Sequence, residues 1–330
     1  MLKFIIKRLL TIIPMMLIII FIVFALVSMS DVNPGRLKLG PDATEEQVYE
    51  LNAQYGLHDP LIVRYGNYIW GILHGDFGES YYYNAPVMES IAARWPNTIR
   101  LTLLSLCIAM TVGISLGVLS AVKQYSLLDR IASISSMLLS AIPTFCMAAV
   151  LVLLFSYKLN VVPASGISMG WKSWILPSIT LGISYSAQFL RFTRSTMLDT
   201  TRQDYIRTAR AKGVAERTTV WRHAFRNALL PLITISGTTL GTLLGGAVAM
   251  EKVFVIPGLG TLVVDALSRN DVPLVLGAIS VMAFTFMMIM LVVDLLYAAV
   301  DPRIRARYSS ARRIKNHHRE EGVHNGNRKV

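Results

Sequence analysis

Six runs of apolar residues, each long enough to cross a lipid bilayer, constrain this chain more than any other feature. They occupy residues 9–27, 101–122, 131–157, 173–190, 227–250 and 272–293, and the fourth is the shortest. A spanning helix needs about 20 apolar residues, because the hydrocarbon core is about 30 Å thick and a helix rises about 1.5 Å per residue. Six such runs in 330 residues predict an all-α membrane protein with six transmembrane helices.

The basic residues are concentrated in alternate connections between these runs. Three precede the first run, two lie at 123–130, nine at 191–226 and nine at 299–330, whereas residues 31–97 hold four against nine acidic residues. Because Lys and Arg accumulate in cytoplasmic loops, this pattern predicts that both termini are cytoplasmic. The lipid membrane, rather than nucleic acid, then accounts for most of the net charge of +12.

The chain divides into four segments on this topology. Residues 1–30 form an N-terminal transmembrane helix, kept as an anchor because its apolar run exceeds the 7–15 residues typical of a cleaved signal. Residues 31–97 form an extracytoplasmic loop, residues 98–308 a five-helix core with a polar hairpin at about 194–228, and residues 309–330 a flexible cytoplasmic tail. This division predicts a multi-pass protein of the cytoplasmic (inner) membrane.

The extracytoplasmic loop carries signals for three short helices. Thr44 and Gln47 fit a capping box that opens the first helix, which Gly56 ends. Prolines predict the starts of the other two, at 59–71 and 86–95. Two interpretations stay open for this loop: a cap over the helix bundle, which we favour, or a docking surface for an external partner.

Polar and helix-breaking residues within the runs suggest further roles. Pro143, in the third run, predicts a kink. Gly237, Gly241 and Gly245 recur every fourth residue in the fifth run and predict a close helix contact. The candidates for lining a translocation pathway are Thr234, Thr238, Thr242 and Glu251. The threonines have an alternative role, in which their hydroxyls bond back to their own helix. For Glu251 we favour the alternative of a solvated charge at the outer rim.

Residues 204–231 form a strongly basic segment between two apolar runs, so this segment must lie in water. The sequence predicts a helix from Asp204 to Lys212, ended by Gly213. A second helix follows from about Glu216 and leads into the fifth run. Its apolar residues have the spacing of one buried stripe: Val220, Trp221, Ala224, Phe225 and Ala228. An amphipathic hairpin lying on lipid headgroups is the simplest interpretation.

The order of the residues in this hairpin indicates a protein family more specifically than its composition does. Residues 208–213, Thr-Ala-Arg-Ala-Lys-Gly, with Leu230-Pro231 downstream, resemble the Ala-Ala…Gly…Leu-Pro coupling motif of ABC importer permeases. Residues 205–213 and 222–231, together with 55–61, 75–80, 253–260 and 301–303, are similar to the dipeptide/oligopeptide/nickel branch of that family. Arg207 and Thr208 replace the Glu and the first Ala of the general motif, as is expected in the peptide branch.

The resemblance implies a type I ABC importer permease, whose short helix docks into a groove on a cytoplasmic ATPase. The residues assigned to ATPase coupling are Asp204, Tyr205, Arg207, Thr208, Ala209, Arg210, Ala211, Lys212, Gly213 and Pro231. Among them the two alanines and Gly213 would form the close-packed face, and the three basic residues would pair with acidic residues of the ATPase. The implied partners are a second permease (a related chain or a copy of this one), two ABC ATPases and an extracytoplasmic substrate-binding protein.

No phosphate-binding G-x-x-x-x-G-K-[ST] loop and no Gly-Lys pair occur in the sequence. The chain is therefore expected to be a transport subunit rather than an enzyme, without a cofactor or metal of its own, and with ATP and Mg on the partner ATPases. The resemblance implies peptides or a nickel or metal chelate as cargo. The alternative is a secondary transporter driven by an ion gradient, but such proteins need buried ionisable groups, and the apolar runs hold almost none.

Overall fold

The computed structural model describes residues 2–29 and 33–300, and this part of the chain has an all-α fold. Its α-helices are α1 (Leu2–Ser28), α2 (Pro34–Leu39), α3 (Glu45–Gln54), α4 (Leu61–Leu73), α5 (Val87–Val122), α6 (Leu127–Ala141), α7 (Thr144–Leu151), α8 (Ile175–Thr201), α9 (Asp204–Ala211), α10 (Glu216–Thr218), α11 (Arg226–Val253), α12 (Leu259–Ser268) and α13 (Val272–Val300). The predicted tail at 309–330, the motif at 301–303 and the C-terminus lie outside the described residues.

Four helical stretches in the described part have the length and composition of a membrane span: Arg8–Ser28, Val87–Val122, Glu216–Val253 and Val272–Leu296. A fifth is added if α6 and the helix after it count as one span. Although α8 is 27 residues long, it is too polar to qualify. The number of six spans and the cytoplasmic position of the termini therefore remain predictions.

The third apolar run is broken rather than kinked. After α6 ends, α7 begins at Thr144 and continues as a π-helical segment, Val152–Lys158. Pro143 has no N–H to donate and restricts the residue before it, and Ile142 accordingly has extended backbone angles (φ −81°, ψ 123°). The two halves meet at 102°, so Pro143 marks a break between two helices, which is more than the predicted kink.

The packing of α5 against α8 forms the centre of the bundle. A Cβ atom on Gly113 would lie 2.5 Å from the Cβ of Phe189, and one on Gly117 would lie 2.6 Å from the Cβ of Thr193. Because only glycine permits such an approach, the backbones of the two helices are in direct contact, as in other pairs of small residues four apart. Because α8 packs in the centre of the bundle, it can carry the many hydroxyl groups that make it less apolar than α5, α11 and α13.

The segment at 31–97 follows the prediction in its first two helices and departs from it in the third. The Thr44–Gln47 capping box is confirmed, with the Gln47 N–H donating to Thr44 Oγ1 at 3.3 Å, and α4 starts directly after Pro60. The separate helix expected at 86–95 is wrong, since α5 runs continuously through Pro96. Val87 and Ile91 are fully buried against α12 and α13, and this packing carries the helix across the proline.

One buried carboxylate joins the segment at 31–97 to the last helix. Asp271, 1% exposed, accepts a hydrogen bond from Leu274 N at 3.4 Å and caps α13. It also accepts from the Ser80 hydroxyl and from the backbone N–H groups of Tyr81 and Tyr82, both at 3.2 Å. The loop at 80–82 is therefore fastened to the start of α13.

Candidate functional site

The predicted coupling segment folds into a short exposed helix, α9. Asp204 lies in its first turn and Arg210 in its last, so each charge opposes the nearby end of the helix dipole. The helix ends at Ala211, with Lys212 as its cap. All the predicted residues of this segment reach the surface: Asp204, Tyr205, Arg207, Thr208, Arg210, Ala211, Lys212 and Gly213 are exposed, and Ala209 is half-buried.

A single buried residue attaches α9 to the rest of the protein. Ile206 is 0% exposed and packs in an apolar cluster with Val118 of α5, Met197 of α8 and Ala228 of α11. The other side chains of α9 leave this cluster and face outwards. The sequence analysis missed Ile206, although it is the one aliphatic residue larger than alanine in this helix.

Gly213 ends α9 through its backbone conformation. Its φ of +77° is in the left-handed region, which favours glycine. Gly213 N donates to Arg210 O at 2.9 Å and Val214 N donates to Ala209 O at 3.2 Å, the pair of bonds that defines a Schellman motif. A Cβ atom there would meet nothing within 4 Å, so the need for glycine at this position is conformational rather than steric.

The three basic residues predicted to pair with an ATPase differ in their surroundings. Arg210 already forms a two-pronged ion pair with Glu216, with Nη2–Oε1 and Nε–Oε2 distances of 2.6 and 3.0 Å. Arg207 is 3.9 Å from Asp204 in the first turn of the same helix. Lys212 makes no side-chain contact with another described polar group. Arg210 therefore holds the two halves of the hairpin together in the isolated chain.

The second half of the hairpin is helical but does not bury all of the predicted stripe. A π-helical segment, Thr219–Phe225, joins α10 to α11 and turns the chain by more residues per turn than an α-helix does. Val220, Ala224 and Ala228 are buried. Trp221 is 52% exposed and makes an edge contact with Phe225, at 5.3 Å between ring centres, so its assignment to the buried stripe is wrong.

A buried ion pair fixes the end of α8 from which the hairpin departs. Asp129 of α6 is 3% exposed and accepts hydrogen bonds from Arg194 Nε at 2.6 Å and Arg194 Nη2 at 2.8 Å. The Ser120 hydroxyl of α5 and Tyr125 N also donate to this carboxylate. The three helices α5, α6 and α8 therefore meet at one buried carboxylate whose hydrogen-bonding capacity is satisfied. The sequence did not predict this cluster.

The predicted pathway threonines lie together on α11. Thr234, Thr238 and Thr242 are exposed on one face at intervals of four residues, and Gly245 extends that face. Their hydroxyls donate to carbonyl groups three or four residues earlier, at 3.4, 3.0 and 2.9 Å, as in the back-bonding alternative. Pro231, also a predicted coupling residue, lies inside α11 rather than at its start.

Two glycines of the predicted ridge on α11 pack within the chain. A Cβ on Gly237 would lie 2.6 Å from Val293, and one on Gly241 would lie 2.2 Å from Phe286, both on α13. Gly245 has nothing within 4 Å. The close helix contact predicted for this ridge is therefore made by its first two glycines.

Glu251 is not the solvated rim charge that the sequence analysis favoured. It is 0% exposed, and its carboxylate accepts hydrogen bonds from Thr98 Oγ1 at 2.5 Å and from Thr261 N at 2.9 Å. Thr98 Oγ1 in turn accepts from Leu259 N at 2.8 Å. Glu251 and Thr98 together satisfy free N–H groups at the start of α12, and a Cβ on Gly258 would collide with this carboxyl group at 2.1 Å.

Comparison with protein families gives two adjoining matches. Residues 1–102 match the family "Binding-prot-dependent transport system membrane comp, N-term". Residues 113–306 match "Binding-protein-dependent transport system inner membrane component". Together they cover almost the whole chain, including α9 and the hairpin.

Similar curated proteins are permeases. The glutathione transport system permease protein GsiC of Salmonella choleraesuis (strain SC-B67) is 40% identical over 305 residues, which cover 92% of this chain and 99% of that protein. GsiC of Escherichia coli (strain K12) has the same identity and coverage.

Among solved structures, a chain of the MetNI methionine ABC transporter in an inward-facing conformation has a similar fold. The TM-score is 0.56 with 18% sequence identity, over 65% of this chain and 97% of that chain. At this identity the likeness concerns the fold alone, which is that of a type I ABC importer permease. This chain belongs to the inner membrane components of binding-protein-dependent transport systems, the multi-pass permease subunits of ABC importers.

Proposed function

We propose that this permease couples transport to ATP hydrolysis through α9, which docks into a groove on a partner ABC ATPase. We also propose that its cargo is a small peptide. The exposed helix α9, whose one fully buried side chain is Ile206, carries this proposal. A helix that exposes nearly all of its polar and small side chains while keeping one buried anchor suits insertion into the groove of another protein. ATP and Mg belong to the ATPase subunits in this scheme.

Movement of α9 would reach the membrane through two connections. On one side, α9 follows α8, and the Arg194–Asp129 ion pair ties α8 to α6 and α5. On the other side, Ile206 contacts the buried stripe that continues into α11. Because a partner that bound both conformations equally would shift nothing, the ATPase must grip α9 differently before and after it closes on ATP.

The open face of α11 provides a surface for the pathway and for a second permease. Thr234, Thr238 and Thr242 present short side chains whose hydroxyl hydrogens are already committed to the helix backbone. Such a face is mildly polar and smooth, so it permits passage of a peptide without binding it tightly. The second permease, a related chain or a copy of this one, would close the other side of the pathway.

The proposed cargo class follows the similar permeases. Both GsiC proteins are named for glutathione, a tripeptide, and match this chain along 92% of its length. An extracytoplasmic binding protein would select the peptide and deliver it to the outer end of α11. A nickel or other metal chelate is the second candidate, on the resemblance of the sequence motifs to the peptide and nickel branch.

The coupling role is tested by replacing Ala211 with tryptophan in the complete transporter reconstituted into liposomes. Ala211 is exposed, so the substitution leaves the fold intact but overfills a close-packed interface, which costs roughly 1–3 kcal/mol. We expect ATP-dependent uptake to fall about tenfold or more and the ATPase to co-purify less well. Ala215→Trp is the matched control, because Ala215 is an exposed alanine of the same hairpin outside α9.

Unchanged ATP-dependent uptake by the Ala211→Trp transporter would contradict docking through α9. Uptake that needs an ion gradient and no nucleotide would instead establish the secondary transporter alternative. The same liposomes identify the cargo: labelled glutathione should accumulate, with competition from other small peptides and none from a nickel chelate. Accumulation of the chelate alone would replace the peptide assignment while leaving the coupling result valid.

A further inference from the structure

A polar cavity of about 420 Å³ lies between α6 and α8, next to the point where the hairpin begins. Its polar lining consists mainly of Ser133, Ser136, Arg191, Arg194, Ser195 and Arg202. Three arginines and three serines face one space, against a single lining carboxylate, Asp199. Its size falls within the range of small-molecule sites, roughly 300–1,000 Å³.

Two of the arginines are held in position by the protein and still have unused donors. Arg194 uses Nε and Nη2 on Asp129, and Arg191 uses Nη1 on Ser136 O at 3.0 Å and on Ser140 Oγ at 2.8 Å. A guanidinium group has five N–H donors in a fixed plane, so each arginine keeps several free. Such fixed donors suit the oxygens of a phosphate group.

Arg202 is the third positive charge and has a different setting. It caps the end of α8, is exposed, and its guanidinium makes no hydrogen bond or ion pair with another described residue. With Asp129 neutralising Arg194, the cavity retains the charges of Arg191 and Arg202 against that of Asp199. An anion is therefore the ligand that the charge balance favours.

An apolar surface borders this cavity. Met137, which lines the cavity and is 65% exposed, joins it to the outer face of α6, where Ile131, Ile134 and Leu138 are also more than half exposed. This face turns away from Ser133 and Ser136 around α6, and the whole of α6 belongs to the bent pair of helices that counts as one candidate membrane span. A ligand that fits both surfaces has an anionic head and hydrocarbon chains.

We propose that the cavity between α6 and α8 binds the phosphate headgroup of an anionic phospholipid, whose acyl chains lie along the exposed face of α6. Basic pockets between transmembrane helices on the cytoplasmic side are known sites for such headgroups. The site is separate from the docking surface of α9 and does not depend on it. A bound headgroup would contact both Arg191 and Arg202. It would thereby stabilise the packing of α6 against the end of α8 that leads to the hairpin.

The test measures binding of dioleoyl phosphatidylglycerol to the full-length permease in detergent, by native mass spectrometry and by thermal unfolding with added lipid. We expect Arg202→Gln and Arg191→Gln each to weaken its binding about fivefold, because one basic residue near an anionic lipid surface is worth about that factor. Arg217→Gln is the control: Arg217 is an exposed arginine of the hairpin outside the cavity. Arg202 is exposed and makes no hydrogen bond or ion pair with a described residue, so its loss should leave the fold intact.

Two further probes separate the possible sources of the anion. Dioleoyl phosphatidylcholine, which has the same chains and no net charge, should bind more weakly and respond equally to all three substitutions. Inorganic phosphate in excess should displace little of the phosphatidylglycerol, since it lacks the chains. The proposal is overturned if Arg217→Gln costs as much as Arg202→Gln, if phosphatidylcholine binds as tightly, or if inorganic phosphate alone protects the protein equally well.

Discussion

The two ends of the bundle use polar groups in opposite ways. At the hairpin end, the charges of α9 are on the surface and one apolar side chain, Ile206, provides the attachment. At the other end, α12 is attached by buried polar groups, with Glu251 and Thr98 bonded to its first N–H groups. The first arrangement leaves a helix available to a partner, whereas the second makes a helix part of a fixed interior.

The contrast has an energetic side. A buried carboxylate that accepts several hydrogen bonds is costly to disrupt, since its removal leaves donors without partners. An exposed helix with one anchor can move locally without exposing much apolar surface. We therefore expect α12 to remain fixed while α9 responds to whatever binds it.

The largest effect is predicted for Glu251→Ala. The substitution leaves Thr98 Oγ1 and Thr261 N without their acceptor in a buried site, and each lost bond to such a group costs about 1.5–3 kcal/mol. We expect overall destabilisation of about 3 kcal/mol or more, measured by thermal unfolding of the purified permease. Glu216→Ala is the control, because Glu216 is exposed and part of a surface ion pair. Equal losses of stability for both variants would mean that the buried carboxylate at one end of the bundle contributes no more than the exposed carboxylate at the other.

A smaller and local effect is predicted for Ile206→Ala. Truncating a fully buried isoleucine typically costs about 2–5 kcal/mol, and here the loss falls on the attachment of α9 rather than on the whole bundle. Amide hydrogen exchange should accelerate in residues 204–214 and stay unchanged in α12. Tyr205→Ala, at an exposed neighbour, should leave exchange as it is. Protection of α9 that survives Ile206→Ala would show that another contact holds this helix.

The smallest effect is predicted for Gly213→Ala. An alanine in the left-handed conformation costs roughly 1–2 kcal/mol, although its methyl group meets no neighbour. Hydrogen exchange at the Gly213 and Val214 amides should accelerate, while Gly213→Asn should recover much of the protection because asparagine tolerates this conformation. If alanine and asparagine behave alike, the residue is needed for its size at an interface rather than for its backbone.

Local signals were readable from the sequence, and distant partners were not. The Thr44 capping box, the end of α9 at Gly213 and the cap of α13 at Asp271 each depend on residues within a few positions of one another. The bonds of Glu251 to Thr98 and of Asp129 to Arg194 join residues 153 and 65 positions apart, and a single sequence carries no signal for such pairs. Trp221 was misplaced for another reason: the π-helical segment changes the periodicity on which the stripe was based.

The contact of α5 and α8 at Gly113 and Gly117 has a mechanical consequence. Because no layer of side chains separates them at these positions, the two helices cannot slide or tilt independently, and they move as one rigid unit. A displacement of α8 at its junction with the hairpin would therefore also move the opposite ends of α5 and α8. Bending is therefore expected outside this pair of helices. The break at Pro143 and the π-helical segment before α11 are the positions where bending should cost the least free energy.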